Sequence, residues 1–593
     1  MNQIKTCQNC KKEFVIDEAD SAFYERIKVP MPTFCWLCRA QRRFAFRNER
    51  ILYKRPSDKS GKPIFAMYAP ESGLKVYEKS EWLSDDWDPT SYGRDYDFSK
   101  SFFEQFNNLL HEVPLKNLNI VNGVNSDYTN NITDPKNCYL VFNANKPEDC
   151  MYSHGITHSR ECIDVSHVGK CELCWGSFWL TSSARTMSSV QCENCVDVRF
   201  SKNLRGCTSC FGCVNLVNKS YCFLNEQYTK EAYLEKVASL GLQSFKNFTT
   251  WKKKAEAFWL QYPNKYIEGS SNTNVSGNYI SRSKNVKNSF LVREGEDLRY
   301  CQYAQELPGS KDCYDYSIWG DDSQLVYETH ASGSSINNVK FSLFTQEGSR
   351  DIEYSMVCSS SSNLFGCVSL KHKEYCILNK QYSKEEYREM VAKIKRQMAE
   401  VPYVDSAGRT YYYGEYFPIE MSPVAYNESM AQEYFPLTRV EAARQGYRWK
   451  GDDKRGYTIS LQADQLPDDI TTVTDVINKE TIGCAHGGTC SELCTTAFKI
   501  TPTELQFYKK FSLPLPRLCH NCRTFERLKW RTGLELHKRA CQCAGVASND
   551  NVYKNTGTHV HGAAPCPNEF ETSYASDRQE IVYCGACYQE EVT

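Results

Sequence analysis

From about residue 126 the hydrophobic positions fall in short β-type runs, Tyr139-Leu-Val-Phe, Cys162-Ile-Asp-Val and Cys195-Val-Asp-Val-Arg-Phe, punctuated by Cys, Asn, Gly and Ser. Cys138, Cys150, Cys162 and Cys174 are spaced by twelve, and Cys210 and Cys222 keep the same count. Strands recurring at a fixed short period predict a solenoid, with a coil of about twenty-four residues if two half-coils alternate. The block is duplicated. Cys150 and Cys162 map onto Cys301 and Cys313 at an offset of 151, and Phe211-Gly-Cys213 through Cys222 maps onto Phe365-Gly-Cys367 through Cys376 at 154. Both copies run on into a helix start, with Thr229 or Ser383 as N-cap. Helical spacing of Phe102, Phe103, Phe106, Leu109, Leu110 and Val113 predicts a packing helix that stops at Pro114, and Thr438 to Gly446 predicts a short one.

The two ends follow a different pattern. Cys7-x-x-Cys10 and Cys35-x-x-Cys38 are two knuckles that can turn four thiolates toward one point, the chemistry of a structural zinc site. The stretch Cys10–Cys38 returns as Cys494–Cys522 at a constant offset of 484. There Cys490-x₃-Cys494 stands in for the first knuckle, giving Cys490, Cys494, Cys519 and Cys522 as ligands, with Cys484 as a substitute for the fourth. Cys541, Cys543, Cys584 and Cys587 compose a further site near the C-terminus. Laid on the start of the chain, these four meet Ser57, Lys59, Glu78 and Glu81, so the corresponding N-terminal module keeps a ribbon shape without metal. The offset grows from 484 to 506 across this match, which marks a 22-residue insertion near 544–565. The insertion reads as a surface loop, with His559, His561 and the adjoining Cys566 as optional ligands. Two to three zinc ions are expected.

A basic helix leaves each principal knuckle. Arg39, Arg43 and Arg47 share a face, and Arg523, Arg527 and Arg531 repeat them at 484. Such a stripe either grips phosphates, for which guanidinium is suited, or is a solvated face or one side of intramolecular salt bridges.

The fold class that results is mainly β with helical caps: N- and C-terminal zinc ribbons flanking a duplicated, cysteine-rich, β-solenoid-like region. The boundaries are a zinc ribbon with basic helix (1–52), a metal-free ribbon-like module (53–95), a packing helix (96–125), repeat block 1 (126–228), a helical cap (229–270), repeat block 2 (271–382) and a second cap (383–400). A connector rich in Tyr, Pro and Gly (401–480), a second zinc ribbon with basic helix (481–540) and a C-terminal ribbon-like module (541–593) follow.

Thirty cysteines in 593 residues narrow the setting. They fall in knuckles rather than behind an apolar leader, which points to a reduced, cytoplasmic protein; no apolar run is long enough for a bilayer. A formal net charge of −1 neither favours nor excludes nucleic acid. Within the solenoid, Cys171, Cys174, Cys207 and Cys210 meet Asp322, Leu325, Ser361 and Leu364 in the second block, so they read as inward core slots rather than ligands. His154, His158 and His167 with Asp164 have no histidine counterparts there, and no nucleophile, base and orienting group fall together.

The run from Cys10-x₃-Phe14 through Phe23-Tyr24 and Pro32 to Cys35-x-x-Cys38-Arg39 resembles a zinc-ribbon domain of many uncharacterised bacterial proteins. With Gln432-Glu-Tyr-Phe-Pro-Leu and Tyr574-Ala-Ser-Asp-Arg, nearly the whole chain resembles a multidomain family of metagenome-derived bacterial genomes. The resemblance implies zinc and a bacterial cytoplasm, and no activity. Three functions compete: a non-enzymatic nucleic-acid binder, RNA before DNA, gripping through the Arg stripes; a protein-interaction scaffold with structural zinc and a solenoid binding face; and an enzyme working on a polymer along the solenoid. The stripes separate the first two. They should lie exposed on a nucleic-acid binder and be paired with solenoid carboxylates on a scaffold.

Overall fold

The computed structural model describes residues 2–305, 307–451 and 456–592. Strands stack in parallel at a register of twelve, His154 on Ser166, Ser166 on Phe178 and Phe178 on Val190, and bridges at the other sides of the coil keep the same step. One coil is therefore twelve residues, half the expected length. The reason is local. From Asn131 to Tyr152 every third residue has a left-handed backbone, at Asn131, Asp134, Asn137, Leu140, Asn143, Lys146, Asp149 and Tyr152. Each such residue turns a corner, so three residues make a side and four sides close a coil. Asn and Asp tolerate this conformation, which is costly for most other residues. The bulkier Leu140 and Tyr152 are held there by amides bonded to the preceding coil, to Tyr128 and Tyr139 carbonyls.

So narrow a coil has room inside for only one small side chain per side. In the first block the inward positions hold Cys, Ser, Val, Ile and Leu, and the cysteines from Cys138 to Cys222 are buried in one inner core. Carbonyls line this core, which explains the choice of residues. The Cys150 thiol lies 3.2 Å from the Glu148 carbonyl and 3.5 Å from that of Ser159 one coil on, while Ser153 donates to Met151 at 2.8 Å and accepts from the Val165 amide. Free cysteine fills the slot as a small apolar residue with a weak donor.

The second block keeps the plan with irregular coils. Tyr314, Tyr327, Lys340 and Glu353 pair in steps of thirteen before the step returns to twelve. From Cys313 on, three coils lengthened by one residue each account for the drift of the internal offset from 151 to 154; the coil before it spans fifteen residues, Leu298 on Cys313, so Cys301 and Cys313 do not stack as Cys150 and Cys162 do. The helices Lys230–Ala238 and Lys384–Glu400 close the two blocks, capped by the Thr229 and Ser383 hydroxyls.

The modules at the ends are cross-docked. The N-terminal ribbon, its basic helix Trp36–Phe44 and the packing helix Phe102–Glu112 share an outer core with Tyr300, Tyr314, Tyr327, Phe341 and Tyr354 of the second block. The C-terminal ribbon packs instead on the first block and its cap, with Tyr508 and Leu528 in one core with Tyr152, Trp175 and Trp259. Connector residues Tyr411, Tyr416, Phe417 and Tyr426 are fully buried, covering the N-terminal helix and the second block. Between the blocks, Trp179 and Tyr279 meet ring to ring at 4.4 Å.

Candidate metal centres

Among the described residues, three groups of four cysteines and two mixed groups bring their donor atoms within 4.8 Å of one another. The first, Cys7, Cys10, Cys35 and Cys38, is the one expected. The hairpin Gln3–Thr6 with Glu13–Ile16 presents one knuckle, and the start of the basic helix presents the other. The Cys35 amide donates to the Cys7 sulfur at 3.3 Å and Asn9 donates to Cys38 at 3.4 Å. Donors aimed at sulfur favour thiolate, the form that binds a metal.

The second group is Cys484, Cys494, Cys519 and Cys522, so Cys484 takes the place expected of Cys490. Strand pairing explains the exchange. Gly483 faces Ala497 as Thr6 faces Glu13, and the Cys484 amide bonds the Thr496 carbonyl as the Cys7 amide bonds that of Lys12. Cys484 is thus the structural counterpart of Cys7, and the knuckle loop, three residues from Cys7 to Cys10, is ten from Cys484 to Cys494. Two of its S–S contacts are 3.9 Å, between Cys484 and Cys522 and between Cys494 and Cys519. The hydrogen bond shared with Cys494 helps lower the Cys484 thiol to about 6. Cys490 stands outside this set, 3.7 Å from Cys522, in a half-exposed group with His486 and Glu492.

In the C-terminal module the four-cysteine group is Cys541, Cys566, Cys584 and Cys587; Cys543 is not in it. Cys543 joins His559, His561 and Cys587 instead. At the offset of 506, Cys566 corresponds to Ser60, just as Cys541 corresponds to Ser57 at 484. Cys541 and Cys566 are therefore the halves of one C-x-x-C knuckle, split by the 22-residue insertion. In the N-terminal counterpart Ser57 and Glu81, standing where Cys541 and Cys587 do, hydrogen-bond directly, and Lys59 pairs with Asp86 at 3.3 Å. A polar cross-link thus stands where the other copy gathers thiolates.

The arginine stripes are internal. Arg39 and Arg43, 2% and 0% exposed, converge on Asp315 at 2.7 and 3.1 Å and reach Glu328 at 3.5 and 3.2 Å. Arg42, on which the stripe reading places no role, lies between Glu328 and Glu415 at 3.1 Å from each, its guanidinium 4.2 Å from the Phe34 ring. Arg47 is buried against Glu49 at 2.8 Å. The copy repeats the arrangement on the other block: Arg523 and Arg527 meet Asp164 at 2.9 and 3.1 Å, and Arg531 covers the Tyr434 ring at 3.5 Å. Asp164 and Asp315 are equivalent at the offset of 151, so duplicated carboxylates receive duplicated arginines. None of the six is placed to meet a phosphate from solvent, where the nucleic-acid reading expects them exposed. Asp164 is consumed by these pairs, His154 bonds Glu49 at 2.5 Å, and His167 meets the His154 ring edge-on at 5.5 Å and lies 3.4 Å from the Tyr303 hydroxyl, so both histidines serve as packing and hydrogen-bond partners.

Comparison with known proteins adds little to this geometry. No family model matches the chain, and no curated protein does. A solved structure from Desulfovibrio desulfuricans G20, provisionally described as an acetyltransferase, aligns at 14% identity over 40% of this chain and 63% of that chain, with a TM-score of 0.09. Similarity that loose carries no argument about fold or activity. The likeness of the ends to zinc ribbons rests on their own cysteines.

Proposed function

We propose that this protein is a non-catalytic interaction scaffold, in which zinc-bound modules lock a duplicated solenoid into one body and the uncovered solenoid sides meet a protein partner. The carrying observation is that Arg39, Arg43, Arg523 and Arg527 are spent on Asp315, Glu328 and Asp164 of the solenoid. Zinc is the metal we assign, because four thiolates in a closed group suit a structural, redox-silent, tetrahedral ion.

Two sides of the first block are covered by modules, and one of the other two carries a ladder of exposed ion pairs between coils. Lys136 bonds Glu148 at 2.6 Å, Arg160 bonds Glu172 at 2.6 Å and Arg185 bonds Asp197 at 2.6 Å. This surface alternates in sign, which suits a protein partner with matched charges better than a polyanion.

The test has two arms. Fluorescence anisotropy against single-stranded RNA, duplex RNA and duplex DNA across a salt series should show no binding that weakens steeply with salt. Affinity capture from nuclease-treated extract should retain a protein that a chain with Lys136, Arg160 and Arg185 changed to Glu fails to hold. Tight, salt-sensitive nucleic-acid binding, or capture indifferent to the ladder, would overturn the reading.

A further inference from the structure

Cys587 belongs to two donor groups at once. On one side stand Cys541, Cys566 and Cys584; on the other stand Cys543, His559 and His561. We propose that the C-terminal module holds two divalent ions that share the Cys587 thiolate, one completed by Cys541, Cys566 and Cys584 and the other by Cys543, His559 and His561. This rests on the zinc reading of the thiolates and adds to it a binuclear centre and its second ligand set.

Both imidazoles are already turned for the task. Ala564 offers His561 Nδ1 a carbonyl at 2.7 Å, which can only accept, so Nδ1 carries the proton. The lone pair is then on Nε2, which faces the Cys587 sulfur at 3.3 Å and the Cys543 sulfur at 3.4 Å. His559 is the mirror case. Its Nε2–H donates to Glu591 at 2.7 Å, leaving Nδ1 toward Cys543 at 3.5 Å. A ring nitrogen fixed by a carboxylate or carbonyl while the other points at the metal is the usual support of a histidine ligand. Asn555 donates to Cys543 at 3.1 Å, as suits a thiolate. The half-exposed His486 group lacks this arrangement, for His486 Nδ1 faces Glu492, 3.2 Å away and within the same group.

The insertion supplies an independent reason. Between Cys543 and Cys566 there is no helix or named strand, and Val546, Val552 and Val560 are 71%, 52% and 86% exposed. The buried side chains from Cys543 to Cys566 are Cys543, Ser548, His559 and Cys566, so the loop is not organised by an apolar core. A structureless segment this long inside an ordered module is uncommon without a function or a staple. Here the buried side chains are largely metal donors, and Glu591 of the terminal helix ties the loop down by accepting from the Thr556 and Gly557 amides and the Tyr553 hydroxyl. Sharing also eases the charge. Two divalent ions among five thiolates and two neutral imidazoles leave one net negative charge, where one ion among four thiolates leaves two.

Cobalt(II) exchanged into the full chain tests the bridge, because two cobalt ions joined by one thiolate couple antiferromagnetically and lose paramagnetic signal. Native mass spectrometry should count one ion for each four-cysteine group and one more, and the spin signal should fall short of that count by the coupled pair. His559→Ala with His561→Ala should lose one ion yet gain signal, since the remaining ion becomes uncoupled; general unfolding would lower both. His561→Cys, which keeps a donor in place, should retain all the ions and the coupling. A native chain with only one ion in each four-cysteine group, or with a full spin signal, would overturn the proposal alone. A chain that binds no metal would overturn the zinc reading with it.

Discussion

Asp315 shows how much one side chain can commit. It is fully buried, and two guanidiniums from a helix far away in sequence close on its two oxygens. Burial, joined by the nearby Glu328 charge, pushes its carboxyl upward, with Arg39 and Arg43 acting against that. Removing one partner of such a set leaves charge in the core, a loss of about 3–5 kcal/mol. Asp315→Ala should therefore lower the thermal midpoint markedly, and Asp164→Ala should do the same through the other module. The helical stripe itself was legible in the sequence from its spacing. What it meets was not, since periodicity says which side chains share a face and nothing about the surface opposite. His330 and His167 make a second prediction at this scale. Burial, as the largest cause, holds both well below 6.5 in the fold. The unfolded chain takes up protons as pH drops through about 6.5 while the folded chain does not, so stability should fall on acidification below that value. Melting curves should show a smaller acid-side loss for His330→Leu than for the parent chain.

At the level of elements, period and duplication were both readable, and the coil length was not. A cysteine every twelve residues fits one small coil as well as half of a large one, and only the left-handed corner at every third residue decides between them. The C-terminal knuckles are blurred for a related reason. Insertions lengthen the loop before Cys494 and split the pair Cys541 and Cys566, so C-x-x-C spacing leaves Cys484 and Cys566 only as alternative ligands. The strand Ile482–Gly483 leading into Cys484 was the available signal. Two measurements follow. Cys484→Ser should cost one metal ion by native mass spectrometry, and Cys490→Ser none. Replacing Cys171 and Cys174 together by Ser should leave the ion count unchanged, since Ser occupies neighbouring inward slots with the same bonds to carbonyls.

On the scale of the whole molecule, each ribbon serves the block that lies farther from it in the chain. Both outer cores therefore depend on the cysteine-bearing ends, although the inner cores of the solenoid do not. Chelation should strip the ribbons while the coils persist: far-ultraviolet circular dichroism should change little, and proteolysis should become rapid in the connector and around Asn48–Arg50. Loss of the β signal together with the metal would show instead that the solenoid needs its covers.

The crossed docking also orders events in time. During synthesis the N-terminal ribbon emerges hundreds of residues before the surface that Arg39 and Arg43 require, and the first block is finished long before the helix that shields Tyr152 and Asp164. Each half waits with an uncovered face until the other is made. A ribosome stalled after residue 480 would release a chain whose second block is capped and clothed, and whose first block still bares its aromatic side to whatever binds nascent proteins.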